Sequence, residues 1–439
     1  MITETQPVAA AAAPAPTRLL NRNYLLVWQG QAISRMGDQV FAVALAFWVK
    51  DITGSATLLG LVVALSALPG LVLDPIGGAV ADRYPRKRII IASDVLSGLL
   101  VLSLAAAIAV APHAPATLVW LFVVALLLGV INSFFIPAIA ASIPDIVPHD
   151  RLTGANAMGQ LSAQVAMFFG QGLGGVLYRL VGAPLLLLFN GLSFLFAASS
   201  TSLARIPQPP SARFSDWRAL LAAFAGDLRE GLRFVCRQPG LREFIVISTA
   251  ISFFNAPILV LLPFYVEDTL GMPSDWYGYI AAAYGVGALL GYLLVLPLRL
   301  SGQARGVSIV LCFLLGPIGT VALGQAASPW LAVALALLGG VTSGFVGVHV
   351  TTLLQMQTPS AMRGRVFGLL GALGGAVAPV AAGFSGVVAD LLQQDIRLIY
   401  SGCGVIMLAI AIAGALNPGF RRFVSAAPES MAGESRRHD

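Results

Sequence analysis

Twelve stretches of about 20 apolar residues, nearly free of charge, follow one another along this chain, and its cations collect in every second gap between them. They run near 24–50, 58–81, 89–111, 117–143, 153–178, 185–204, 243–266, 276–298, 306–325, 330–356, 366–389 and 398–416. Each is long enough to cross a bilayer as a helix, and a helix satisfies its own backbone in lipid. With 57% hydrophobic and 10% charged residues, the 439-residue chain carries more apolar surface than a soluble core can hide. The expected fold is an all-α membrane protein with twelve transmembrane helices.

The cations set the orientation. Arg18 and Arg22 precede the first span, and Arg83, Arg86, Lys87 and Arg88 separate the second from the third. Arg151, the series from Arg205 to Arg242, Arg299, Arg305, Arg363, Arg365, Arg421, Arg422, Arg436 and Arg437 fall on that same side. Only Lys50, Arg179 and Arg397 face the other way, and Arg35 lies inside a span. By the positive-inside rule both termini are cytoplasmic. The net charge of +6 is then a topology signal at the lipid surface, and no nucleic-acid partner is expected.

The longest polar gap divides the spans six and six. The expected organisation is a cytoplasmic tail at 1–23 with no cationic leader and apolar core, a six-helix bundle at 24–204, a linker at 205–242, a second bundle at 243–416 and a tail at 417–439. The linker begins "RIPQPPSARF" and ends "RQPG", both helix-breaking. Between them Trp217, Leu221, Phe224, Leu228, Leu232 and Val235 recur at helical spacing opposite Arg218, Arg229 and Arg233, which predicts an amphipathic connector on the inner membrane surface. "PDIVPHDRLTGANAM" (144–158) and "QMQTPSAMRGRVFGLL" (355–370) occupy equivalent gaps in the two halves. Two pseudo-symmetric six-helix bundles of this kind rock about a substrate site near the midplane.

Polar residues at membrane depth are costly, so they mark candidate sites. Gln31, Arg35 and Asp38 share one face of the first span, and Arg35 and Asp38 are spaced to pair. Asp38 is a candidate proton-coupling carboxylate with Arg35 tuning it or gripping an anionic group; a structural ion pair is the alternative. Gln160, Gln164 and Gln171, with Met167, form a stripe on the fifth span, as cavity lining or interhelical glue. Asn132, Asn255, His349 and Gln355 are further cavity candidates, with His349 a possible proton relay or a residue bonded to a neighbour. The glycines at 170, 172 and 175 follow no strand, so they read as close helix packing and not as a nucleotide site.

In the basic loop, Gly78 permits close helix approach, Asp82 can pair with Arg83 or cap a helix, and Arg86, Lys87 and Arg88 hold the loop at the anionic leaflet. Asp82 and Arg83 thus form a candidate latch that breaks and reforms. The loop resembles the one between spans two and three of the major facilitator superfamily, with Pro85 where many members have Gly. "SRMGDQ", "VPHDRLTGANAM", "GDLREGLRF" and "PSAMRGRVFG" together resemble its macrolide-efflux and enterobactin-exporter branch, over roughly Asn21 to Asn417. Two departures stand out: Gln171 sits where drug antiporters commonly have Pro, and the loop after span eight has lost its Asp.

The resemblance implies a monomeric, proton-coupled exporter of amphipathic small molecules in a bacterial inner membrane. A siderophore or lysophospholipid substrate is the alternative within transport, and a non-transporting scaffold or sensor is the alternative outside it. No enzyme is expected. Neither Lys50 nor Lys87 follows Gly as a P-loop requires, and the four histidines and three cysteines show no metal-ligand spacing. No cofactor is implied, and the partners are the substrate, protons and membrane lipids.

Overall fold

The computed structural model describes residues 18–207, 217–298, 300 and 302–425; most of each tail, most of "RIPQPPSARF" and Arg299 lie outside them. The described residues form helices α1 (Arg22–Thr53), α2 (Ala56–Arg83), α3 (Arg86–Val110), α4 (Pro115–Ile146), α5 (Leu152–Leu203), α6 (Trp217–Arg237) and α7 (Leu241–Val260). A short α8 (Leu262–Phe264) and a π-turn (Tyr265–Thr269) lead on to α9 (Asp275–Leu298), α10 (Gly302–Gln325), α11 (Pro329–Gln357), α12 (Ser360–Leu391), α13 (Ile396–Leu416) and α14 (Pro418–Ser425). Local chemistry sets their ends. Asn21 and Ser55 cap α1 and α2 through Tyr24 N and Leu58 N, and Gly54 stops α1 in the left-handed region at φ 62°.

Among the described residues eleven helices are long and apolar enough to cross a membrane, yet they provide for twelve crossings. The 52-residue α5 contains two, because Gly182 leaves the helical region (φ 74°, ψ 170°) two residues before Pro184. Its arms run in opposite directions from that break. The end of the molecule that carries α6 and the start of α1 is called the linker end, and the opposite end the far end.

The two halves touch mainly toward the far end. On α2, Ala56, Gly60 and Leu71 meet Gly386, Ala382 and Gly375 of α12. On the first arm of α5, Phe168, Gly172 and Gly175 meet Gly285, Ala282 and Ser274 on and before α9. A Cβ on Gly60 or Gly175 would collide with the carbonyl of Ala382 or Ser274, so glycine is what lets the backbones approach. Toward the linker end the halves part. Gly364, Gly368 and Gly371 of α12 have no atom within 4 Å of an added Cβ, and Gln160 and Gln164 of α5 are exposed.

The linker helix does more than lie on a membrane surface. Leu228 and Val235 of α6 join an apolar cluster with Phe244 of α7, Val366 and Leu369 of α12 and Phe420 of α14. Arg365 of α12 pairs with Asp227 and Glu230 at 2.9 Å each. Leu232, expected on the apolar stripe, is half exposed, because the buried stripe runs through Leu228, Gly231 and Val235 against α12. The side chains of Trp217, Leu221 and Phe224 lie outside the described residues.

Candidate functional site

A cavity of about 330 Å³ lies between the halves beneath the far-end contact. Phe41 of α1, Leu59 and Ser66 of α2, Leu128 of α4, Gln171 of α5, Leu259 of α7 and Tyr277 of α9 all reach its wall. The wall is chiefly apolar, with the Ser66 hydroxyl, the Gln171 amide and the Tyr277 phenol as polar points. Such a lining suits a ligand that is mostly apolar with a few hydrogen-bonding groups. Gln171 is held in place by donating to Gln39 at 2.9 Å.

Above the cavity the far end is sealed by polar contacts across the halves. Lys50 at the end of α1 reaches Glu267 at 2.6 Å and Asp268 at 2.9 Å, with its ammonium 5.5 Å from the Phe264 ring centre. Arg179 meets Asp275 at 3.0 Å. Asp390 of α12 takes hydrogen bonds from Ser55 Oγ (2.7 Å), Ala56 N (3.0 Å) and Thr57 N (2.9 Å), capping a helix that belongs to the other half. Phe47 and Tyr277 meet edge to face across the same boundary, 5.6 Å apart.

Below the cavity, Asp38 stands one turn from Phe41 and is half-buried. Its carboxylate accepts from Asn190 Nδ2 at 3.4 Å. The pairing of Arg35 with Asp38 read from their spacing is not formed: Arg35 Nη1 turns to α5 and donates to the Gly159 carbonyl at 3.0 Å. A backbone carbonyl on the packed neighbour offers the guanidinium a partner that needs no shared face. Gln31 is buried and donates to Asp94 of α3 at 3.2 Å.

The remaining candidates separate. Gln171 lines the cavity, Gln164 and Gln160 lie one and two turns below Phe168 on the parted face, and Asn255 is half-buried on α7. Asn132 and Gln355 are exposed and do not line this cavity. His349 is buried, with Nδ1 2.9 Å from the Phe345 carbonyl of its own helix and its ring 4.4 Å from the Phe345 ring.

The basic loop is organised by Arg86. It bonds the carbonyls of Ala81 (3.2 Å) and Ala141 (2.9 Å) and pairs with Asp145 of α4 at 2.6 Å, both side chains largely buried. Asp82 is 69% exposed and only 3.6 Å from Arg86, while Arg83 and Arg88 are exposed and Lys87 donates to the Ser202 carbonyl at 2.7 Å. In this arrangement Asp82 faces Arg86, one turn on. Close approach falls to Gly77, against the Ser133 carbonyl, whereas Gly78 has nothing within 4 Å.

Sequence reasoning passed over Asp94, Asn190, Asp145 and Asp390. Asp94 was findable, being the one acidic residue of its span. The other three become visible only once the helices are packed.

A family model described as Major Facilitator Superfamily matches residues 27–383. The chain belongs to the major facilitator superfamily. Among superfamily relatives it is 25% identical to macrolide efflux protein A of Streptococcus pyogenes, over 88% of this chain and 94% of the relative. It is 26% identical to the multidrug efflux pump Tap of Mycolicibacterium fortuitum (90% and 96% covered) and 27% identical to the enterobactin exporter EntS of Shigella boydii (93% and 95% covered). Two superfamily-like folds among solved structures are the nucleoside transporter NupG (TM-score 0.68, 13% identity, 89% and 99% covered) and a D-xylose-proton symporter (TM-score 0.67, 16% identity, 90% and 97% covered). These two show the fold.

Proposed function

We propose that this superfamily member is a proton-coupled secondary exporter of amphipathic small molecules, acting as a monomer in a bacterial inner membrane with both termini cytoplasmic. The observation that carries the reading is the position of the cavity: between the halves, apolar with three polar points, sealed at the far end, and one turn above a half-buried carboxylate. With the linker end cytoplasmic, as the cation distribution requires, the structure is the inward-facing state. The named activities of the efflux relatives support export over uptake.

Alternating access follows from the two ends. Opening outward requires the contacts of Lys50, Arg179 and Asp390 to break and the linker end to close. The closing surface is already built. On α12, Gly364, Gly368, Gly371 and Gly375 share the face that meets α2 at Ala382 and Gly386, and on α2, Asp74 and Gly78 share the face of Ala56 and Gly60. Gly78 thus takes its close approach in the outward-facing state, where Asp82 also comes within reach of α12.

Asp38 supplies the coupling. A carboxylate one turn from the cavity wall that also bonds into the bundle interior exchanges a proton as the halves rock, and the charge it gains or loses biases which end is open. The test is collapse of an imposed pH gradient in inverted vesicles on adding a macrolide, a cationic dye, a siderophore or a lysophospholipid, one at a time. A substrate releases protons from the vesicle lumen in step with its own entry. No response to any of the four classes, with normal protein in the membrane, would favour a scaffold or sensor.

A further inference from the structure

Asp94 is 2% exposed in the first half of the molecule, away from the cavity wall. Its hydrogen bond from Gln31 is neutral, and no Lys, Arg or His lies within salt-bridge distance of it among the described residues. A carboxylate buried at membrane depth with a single amide partner is costly to ionise.

Asp94 belongs to a column of buried polar side chains shared by α1, α3 and the second arm of α5. From Asp38 it passes to Asn190 (3.4 Å) and from Asn190 Oδ1 to Ser193 Oγ (3.3 Å). Ser34 and Ser97, both 5% exposed or less, lie on α1 and α3 between that level and the level of Gln31 and Asp94. The helices are locked together at this level: a Cβ on Gly37 would strike Asn190 and Ser193, and one on Gly98 would crowd the Gly191 carbonyl. At 1.5 Å per residue Asp94 and Gln31 lie about 13 Å from the linker end, and Asp38 lies about 10 Å deeper.

We propose that Asp94 is the second proton-carrying carboxylate of the cycle, filled from Asp38 along this column and emptied at the linker end. The inference rests on the reading of Asp38 as the coupling residue. The Asp38 carboxyl loses its proton to become a carboxylate, water admitted between the helices carries it past the Asn190 and Gln31 amides, which cannot themselves relay a proton, and the Asp94 carboxylate receives it to become the neutral acid. Release then goes to linker-end water. In the inward-facing arrangement that exit is plugged by Ile90, one turn below, with Ala81 and Ala138, all 1% exposed or less. The plug adjoins the corner that Arg86 and Asp145 hold, Arg86 bonding the Ala81 carbonyl itself, so the exit opens when that corner loosens in the inward-facing state.

The surroundings leave Asp94 free to titrate through this route. From α1 it meets Gln31 with Asp38 above, while Arg35 turns away to Gly159. The second arm of α5 offers Asn190 and Ser193 and no ionisable side chain. From α2 and α4 the ionisable groups are Asp74, Asp82 and Arg83, all exposed, and Asp145, which is taken by Arg86.

The test uses the full-length protein in lipid vesicles. Infrared difference spectra across about pH 5 to about pH 9 should show a protonated-carboxyl band that titrates in the wild type, is lost in Asp94→Asn and moves in Asp94→Glu. A band that no pH moves, or a spectrum unchanged by Asp94→Asn, overturns the proposal. In parallel, erythromycin accumulation under a gradient of one pH unit should fall about tenfold in Asp94→Asn, with exchange of labelled for unlabelled erythromycin retained. If Asp94→Asn keeps the accumulation and its pH profile while Asp38→Asn loses both, Asp94 is interhelical glue and the Asp38 reading stands. If both variants keep them, proton coupling through Asp38 fails as well. Should Asp94→Asn not fold, the Asp94→Glu spectrum and the wild-type titration decide.

Discussion

Asp390→Ala removes a carboxylate that caps a helix of the opposite half. In the far-end-closed state it takes three hydrogen bonds, at 2.7, 3.0 and 2.9 Å, from Ser55, Ala56 and Thr57. Each bond to a charged group is worth about 1.5–3 kcal/mol when stripped from a buried site. Asp390 is half-buried, so water replaces much of that in the open state, and Ser55 still caps α2 through Leu58 N at 3.3 Å. The net loss to the closed state is that of a helix cap, about 1–2 kcal/mol. That shifts the ratio of closed to open by about five- to thirtyfold. The assay is the spin-label distance between Val110 and Trp330, both well exposed on opposite halves at the far end, with Cys236, Cys312 and Cys403 replaced by Ser. The long-distance population should grow in Asp390→Ala and less so in Ser55→Ala. An unchanged distribution in a folded variant would refute the cap as a gate.

Three further outcomes are expected. Arg86→Ala strands Asp145 in a largely buried site and should destabilise the protein by about 3–5 kcal/mol, seen as a lower melting temperature in detergent. Gly371→Leu fits the open space of the present arrangement but blocks linker-end closure, so it should fold normally, bind substrate and fail to transport; normal turnover would contradict the glycine face as a closing surface. Cys236, exposed on α6, should react with an impermeant thiol reagent only from the cytoplasmic side, and labelling from outside intact cells would overturn the orientation.

Spans and helices agree closely because both follow from hydropathy and from punctuation by Gly, Pro and polar caps. The break at Gly182 falls in the gap the sequence leaves between 178 and 185, although the helix otherwise continues through it. The seventh span is shorter than its apolar run. Pro257 and Pro263 each remove a backbone donor, and the chain leaves α7 at Val260 for the short α8 and the π-turn.

The site was legible only as far as local periodicity reaches. A helical wheel puts Gln31, Arg35 and Asp38 on one face, but it cannot say that Gly159, Asn190 and Asp94 wait opposite them. Partners of that kind come from helices far apart in the chain. The same holds for Gly77 and Gly78: adjacent glycines point about 100° apart, and only packing against α4 selects the first in this state. The seal at the far end was hidden for a related reason, since Lys50 and Arg179 read as the few outward-facing cations while their carboxylates, Glu267 and Asp275, belong to the other half.

The most direct measurement of the central claim is substrate accumulation in vesicles holding wild type, Asp38→Asn, Arg35→Gln or the double variant, with and without an imposed pH gradient. Because Arg35 bonds the Gly159 carbonyl and not Asp38, Asp38→Asn should fold and exchange substrate downhill but lose gradient-driven accumulation, and the double variant should not recover it. A folded double variant that still accumulates substrate in proportion to the pH gradient would contradict the coupling role of Asp38.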